Sequence, residues 1–171
     1  SVVAGASMVQ IAKDRRIDNI LFEQEKISSA VVAMQEDLQT NIHQSLSTNN
    51  DENAYMALVD GTLLAATAQN RWLGPYLPQY NSNNHKDYGQ ITLAQAQSSI
   101  TSPCNTQALR RNRECFYFYK VSNVPLTTIN KLNSELDGDS ESTPPNEGTV
   151  QWDTITANDA HLHLRAGLVA P

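Results

Sequence analysis

Two histidines, His161 and His163, alternate on a stretch that reads as a β-strand, which puts both imidazoles on one face. Two imidazoles without a third ligand make a solvated strand face rather than a metal centre. Cys104 and Cys115 are the only cysteines, and no second close Cys or His pair completes a zinc pattern. We read them as a disulfide of an exported protein. It would pin a loop to the start of a strand and remove about 3 kcal/mol of unfolded-chain freedom. Two reduced thiols of a cytosolic chain are the alternative. Asp137, Asp139 and Glu141, with Glu147 further on, offer hard oxygens that could hold Ca²⁺, but the Gly and Glu spacing is not that of an EF-hand, and an acidic turn is the plainer reading. Arg110, Arg111 and Arg113 form a basic knob that could meet an acidic neighbour or a phosphate backbone, or simply lie in a solvated loop. A Gly-rich phosphate loop, a nucleophile elbow and an HExxH pair are all missing from the sequence, so nothing indicates an enzyme.

The elements that would position these groups follow from periodicity. Ile17, Leu21, Ile27, Val31, Met34, Leu38 and Ile42 fall on one stripe at helical spacing, and Ile20 widens it. The pattern predicts a continuous helix from Ser1 to about Leu46. Such a helix would be roughly 69 Å long, against a body roughly 40 Å across for a chain of this size. Its second half can pack on the rest of the chain, while its first half must protrude or find a partner. The apolar opening Ser1–Ala12 would cover only about 18 Å as helix, short of the ~30 Å of a bilayer core. With the basic cluster Lys13–Arg16 after it, it reads as the back half of a membrane segment; a frayed apolar terminus is the alternative.

Further along, Asp60-Gly61 between apolar runs predicts a hairpin turn, with a helix broken at Gly61 as the alternative. Trp72 and Tyr76 flank Gly74-Pro75 and should anchor a loop to the core. Tyr80–Gly89 reads as a polar surface loop. Strands are expected at Gln90–Ala96, Cys115–Val121, Thr149–Ile155 and His161–Leu168, the third strand-like run ending before an alternation of Leu162, Leu164 and Ala166 against His161, His163 and Arg165. Asn123-Val124-Pro125 should break the second of these and open a short amphipathic helix from Pro125 to Leu136. The sum is a single α+β domain of 171 residues, a long helix laid on an antiparallel sheet, with net charge −6. That charge disfavours nucleic acid and anionic membrane surfaces as general partners.

The opening SVVAGASMVQIAKDRRIDNILFEQEKISSAV resembles the distal part of the long N-terminal helix of type IV pilins and type II secretion pseudopilins. RWLGPYL (Arg71 to Leu77), CFYFYKVSNVPLTTINKLNSELD (Cys115 to Asp137) and DGDSESTPPNEGTVQW (Asp137 to Trp152) are similar to segments of pilin-like proteins. The resemblance implies a pilin-like fold and a filament subunit, a minor pilin acting in assembly, adhesion or contact with DNA or a substrate. The pseudopilin of a secretion system, or an unrelated periplasmic binding module, is the alternative. It implies assembly through Val9, Ile11, Ile17, Ile20, Leu21 and Ile27, with other pilin or pseudopilin subunits and an inner-membrane assembly machinery as partners. The family's processing site and the acidic residue near its mature N-terminus have no counterpart here, so the front of the helix is expected to be missing. The implied location is the inner membrane and then a periplasmic or extracellular filament. No cofactor is implied.

Overall fold

A computed structural model describes residues 2–80, 82–104, 114–138 and 148–171, with side chains of the first helix described from Arg15 onward. Helix α1 runs from Val2 to Leu38. Ile17, Ile20, Ile27, Val31, Met34 and Leu38 are buried along one stripe, as the periodicity predicts. The helix does not reach Leu46. Gln39 turns into the left-handed region (φ 58°), and the Asn41 side chain caps a separate four-residue helix α2, Ile42–Ser45, by accepting the Gln44 amide at 3.0 Å. Ile42 is buried all the same, because α2 turns it inward, and its amide donates to the Tyr117 hydroxyl at 2.8 Å.

The hairpin expected at Asp60-Gly61 is not formed. Asn50 caps helix α3, Asp51–Met56, and Asp60 caps a 3-10 turn, Gly61–Leu63, by accepting the amide and hydroxyl of Thr62 at 2.9 and 2.7 Å. Asp60 keeps φ at −129°, so the positive φ that a type I′ turn demands is not adopted. A short helix α4, Ala66–Gln69, leads to the Trp72–Pro78 turn, whose Gly74–Pro75 bond is cis.

Four strands, β1 (Ile91–Ala96), β2 (Phe116–Pro125), β3 (Val150–Thr154) and β4 (Asp159–Leu168), form one antiparallel sheet in the order β1-β2-β4-β3. Register pairs Leu93 with Tyr119, Tyr119 with Leu164 and Leu164 with Val150. These four fully buried side chains share the face that meets the helices. Strand β2 does not end at Asn123. The register slips between Val121 and Val124 while Asn123 takes φ 57°, a bulge that an Asn tolerates. Pairing then resumes to Pro125, which caps helix α5, Leu126–Leu136. Ile129 and Leu132 bury the apolar face of α5.

The arrangement is α+β, a long helix and an antiparallel sheet around a common core. Side-chain amides fasten α1 to the end of β4. Gln35 donates to the Leu168 carbonyl at 3.0 Å and accepts the Ala170 amide at 2.7 Å, and Asn41 donates to the Ala170 carbonyl at 3.2 Å. On the sheet's other face Arg165 lies over the ring of Phe116, 4.0 Å from its centroid. There Gln151 donates to the Ser98 carbonyl and accepts the Ile100 amide, both at 2.8 Å, tying down the segment after β1.

Candidate assembly surface

The side chains of α1 that stay in solvent define a second stripe. Phe22, Glu25, Ser29, Val32 and Glu36 recur every three or four residues and are all exposed. Phe22 and Val32, 56% and 47% exposed, are its apolar members. Between this stripe and the turn that follows α4 lies an open groove of about 630 Å³, lined by Phe22, Lys26, Ser29, Ala33, Tyr76 and Leu77. The Lys26 ammonium sits 4.3 Å from the centroid of the Phe22 ring.

The far wall of the groove is rigid for identifiable reasons. Trp72 donates its indole N–H to the Ala57 carbonyl at 3.0 Å and meets Tyr76 edge-on, with ring centroids 5.8 Å apart. A Cβ at Gly61 or Gly74 would stand 2.6 Å from the Trp72 ring, so both positions need glycine for this packing. The Tyr76 hydroxyl donates to Asp37 of α1 at 2.7 Å and accepts the Leu73 amide at 3.1 Å. Burial, with the Asp37 carboxylate beside it, pushes the Tyr76 phenol up to about 12. Leu73 is left 74% exposed at the tip of this turn. The expected anchoring by Trp72 and Tyr76 is thus what the structure has.

The residues singled out from the sequence fall in different places. Ile17, Ile20 and Ile27 are buried under the chain's own sheet and α5 side, and Leu21 is half-buried against the same core. The three isoleucines are therefore core residues and not an open assembly face, because one apolar stripe cannot fill its own core and a neighbour's groove together. The side chains of Val9 and Ile11 lie outside those described. Cys104 and Cys115 are joined as a disulfide. Arg110, Arg111 and Arg113, and Asp139 and Glu141, lie outside the described residues. Asp137 uses both carboxylate oxygens on backbone, accepting the Thr149 amide at 3.1 Å and the Val150 amide at 2.9 Å. His161 and His163 do share a face, but that face is not simply solvated. His163 is buried, and the Asp153 carboxylate lies between the two rings, 2.9 Å from His161 Nδ1 and 3.6 Å from His163 Nε2. Burial and the neighbouring Lys120 charge hold His161 below its ordinary value. The nearby His163 ring, working against burial, holds Asp153 below the usual carboxylate range. Among the described residues no group of three His, Cys, Asp or Glu is arranged to hold a metal ion, and no helix is long and apolar enough to cross a membrane.

Sequence reasoning passed over Phe22, Val32 and Leu73. The spacing of Phe22 and Val32 was visible, but two apolar side chains among Glu25, Ser29 and Glu36 do not stand out as a hydrophobic pattern. No family model, curated protein or solved structure matches this chain.

Proposed function

We propose that this chain is a structural subunit of a type IV pilus or pseudopilus-like filament, working by assembly rather than catalysis. The observation that carries the reading is the reach of α1. The helix runs 37 residues, Val2–Leu38, about 56 Å along its axis, against a body roughly 40 Å across for a chain of this size. Its opening sequence, Val2–Ala12, is apolar, and an apolar helix surface is stabilised where a neighbour covers it. Further along the same helix Phe22 and Val32 are exposed, and a neighbour running alongside α1 would cover them. Covering the open part of each of these two side chains is worth about 1 kcal/mol per contact, repeated at every subunit of a filament. The disulfide is in keeping with an exported protein.

The test is assembly in a cell that carries the chain with its natural upstream sequence. Phe22→Glu and Val32→Glu should leave the purified domain folded and lower its incorporation into sheared filaments. Incorporation at the wild-type level in the double variant, or a natural full-length form that is soluble and monomeric in the cell, refutes the proposal.

A further inference from the structure

Beside the groove, with Gln79 lining both places, sits a carboxylate of α1 that the fold itself does not finish satisfying. Glu23 Oε2 accepts the Tyr119 hydroxyl at 2.7 Å. The same oxygen lies 3.0 Å from His85 Nε2, in a contact too bent to be a good hydrogen bond. His85 Nδ1 accepts the Asp87 amide at 3.0 Å, so the ring's N–H is on Nε2. Glu23 Oε1 has no donor among the described residues, and the Glu23 side chain is 16% exposed. Behind it the Tyr55 hydroxyl is sealed and has no partner. Burial raises the Glu23 carboxyl, but the contacts from His85 and Tyr119 and the charge of Lys26 outweigh that and hold it below the ordinary carboxylate range. A carboxylate therefore stands in a partly buried place with no Lys or Arg bonded to it among the described residues.

Glu23 opens into a recess of about 160 Å³ lined by Tyr80, Ser82, Asn84, His85, Lys86 and Ile91. We propose that this recess binds a small primary ammonium group on Glu23. The chemistry selects that class. An anion would face the Glu23 charge directly. A hard divalent cation needs six to eight oxygens and finds only one carboxylate here. An ammonium brings three N–H donors, enough for the free Oε1 and for acceptors at Ser82 and Asn84, and the Tyr80 ring offers it a polarizable wall. The recess admits an amine of a few heavy atoms and no more. Lys86 is exposed, and among the described residues no ion pair links it to Glu23; it stands as a competing charge. The inference does not depend on the filament reading, and each can fail without the other.

The test is an amide-resolved NMR titration of the folded chain with ethylammonium chloride at constant ionic strength, with sodium chloride and sodium acetate as controls. Saturable shifts at Tyr80, Ser82–Lys86 and Ile91 with ethylammonium only are expected. Glu23→Gln keeps an acceptor for Tyr119 and should weaken binding roughly tenfold or more. Ser82→Trp, at an exposed position, should block the recess without touching the core, and Lys86→Ala should strengthen binding. Shifts that do not saturate, that sodium chloride reproduces, or that survive both Glu23→Gln and Ser82→Trp overturn the proposal.

Discussion

Replacing Gln35 by Ala tests how α1 is held to the sheet. Gln35 is 93% buried by its 7% exposure and acts like a piece of backbone, donating to Leu168 at 3.0 Å and accepting from Ala170 at 2.7 Å. Each such hydrogen bond contributes about 1 kcal/mol net. The two backbone groups left behind lie near exposed Leu168 and Pro171, so water can reach them and the larger penalty for sealed orphans does not apply. The expected loss is about 2 kcal/mol, which for a domain of this size lowers Tm by about 4–8 °C. Calorimetric melting gives the first number, and hydrogen exchange at the Ala170 amide gives the second, because that amide should lose protection while Leu164 in mid-strand keeps it. Gln35→Glu adds a signed check. Its carboxylate would point at the Leu168 carbonyl, which raises its folded pKa, so the variant should be most stable at low pH and lose stability as pH rises through that folded value. An unchanged Tm with unchanged Ala170 protection would show that the amide clamp contributes nothing and that apolar packing alone holds the strand end.

Reducing the Cys104–Cys115 bond, or replacing both residues by Ser, should cost about 3 kcal/mol in urea unfolding from the loop closed by a separation of 11 residues; equal midpoints with and without reductant would contradict this. Gly61→Ala sets a Cβ 2.6 Å from the Trp72 ring, so the indole should give up its bond to Ala57, with a red shift of tryptophan emission and a loss of about 1–3 kcal/mol. Glu23 has a folded pKa below its unfolded 4.5, so its contribution is present above pH 4.5 and lost as pH falls through the folded value; Glu23→Gln should flatten that part of the acid limb in a stability–pH series. His161 has a folded pKa below 6.5, so stability is full above pH 6.5 and falls as pH drops through the lower folded value, and His161→Asn should remove that slope.

Elements whose signal is local were legible in the sequence. Phe116–Val121 could only be a strand, and Leu126, Ile129 and Leu132 only one face of a short helix, because propensity and period agree there. Where an apolar period runs on past a backbone break, it misleads. Ile42 keeps the stripe of α1 in phase, yet Gln39 and Asn41 have already ended that helix and capped the next. At Asp60-Gly61 the same dipeptide suits a hairpin or a capped 3-10 turn, and the Trp72 ring lying on Gly61 belongs to a different stretch of chain. The segment around Ser98 folds over the outer face of the sheet, where Gln151 and Arg165 donate to the Ser98 carbonyl. Glu23 meets Tyr119 from 96 positions away. Neither can be read from neighbours in sequence, since each is a property of tertiary packing.

The double grip of Asp137 on Thr149 and Val150 works as a staple across the foot of the excursion between α5 and β3. Gly148, at φ 97°, sits so close that a Cβ there would stand 2.8 Å from the same carboxylate. The end of α5 and the start of β3 are thereby cinched at one point, so the two elements hold each other's position directly. An epitope or tag inserted after Gly138 should therefore leave β3 in place, whereas the same insertion beside Asp60 or Trp72 would pry apart the wall of the groove.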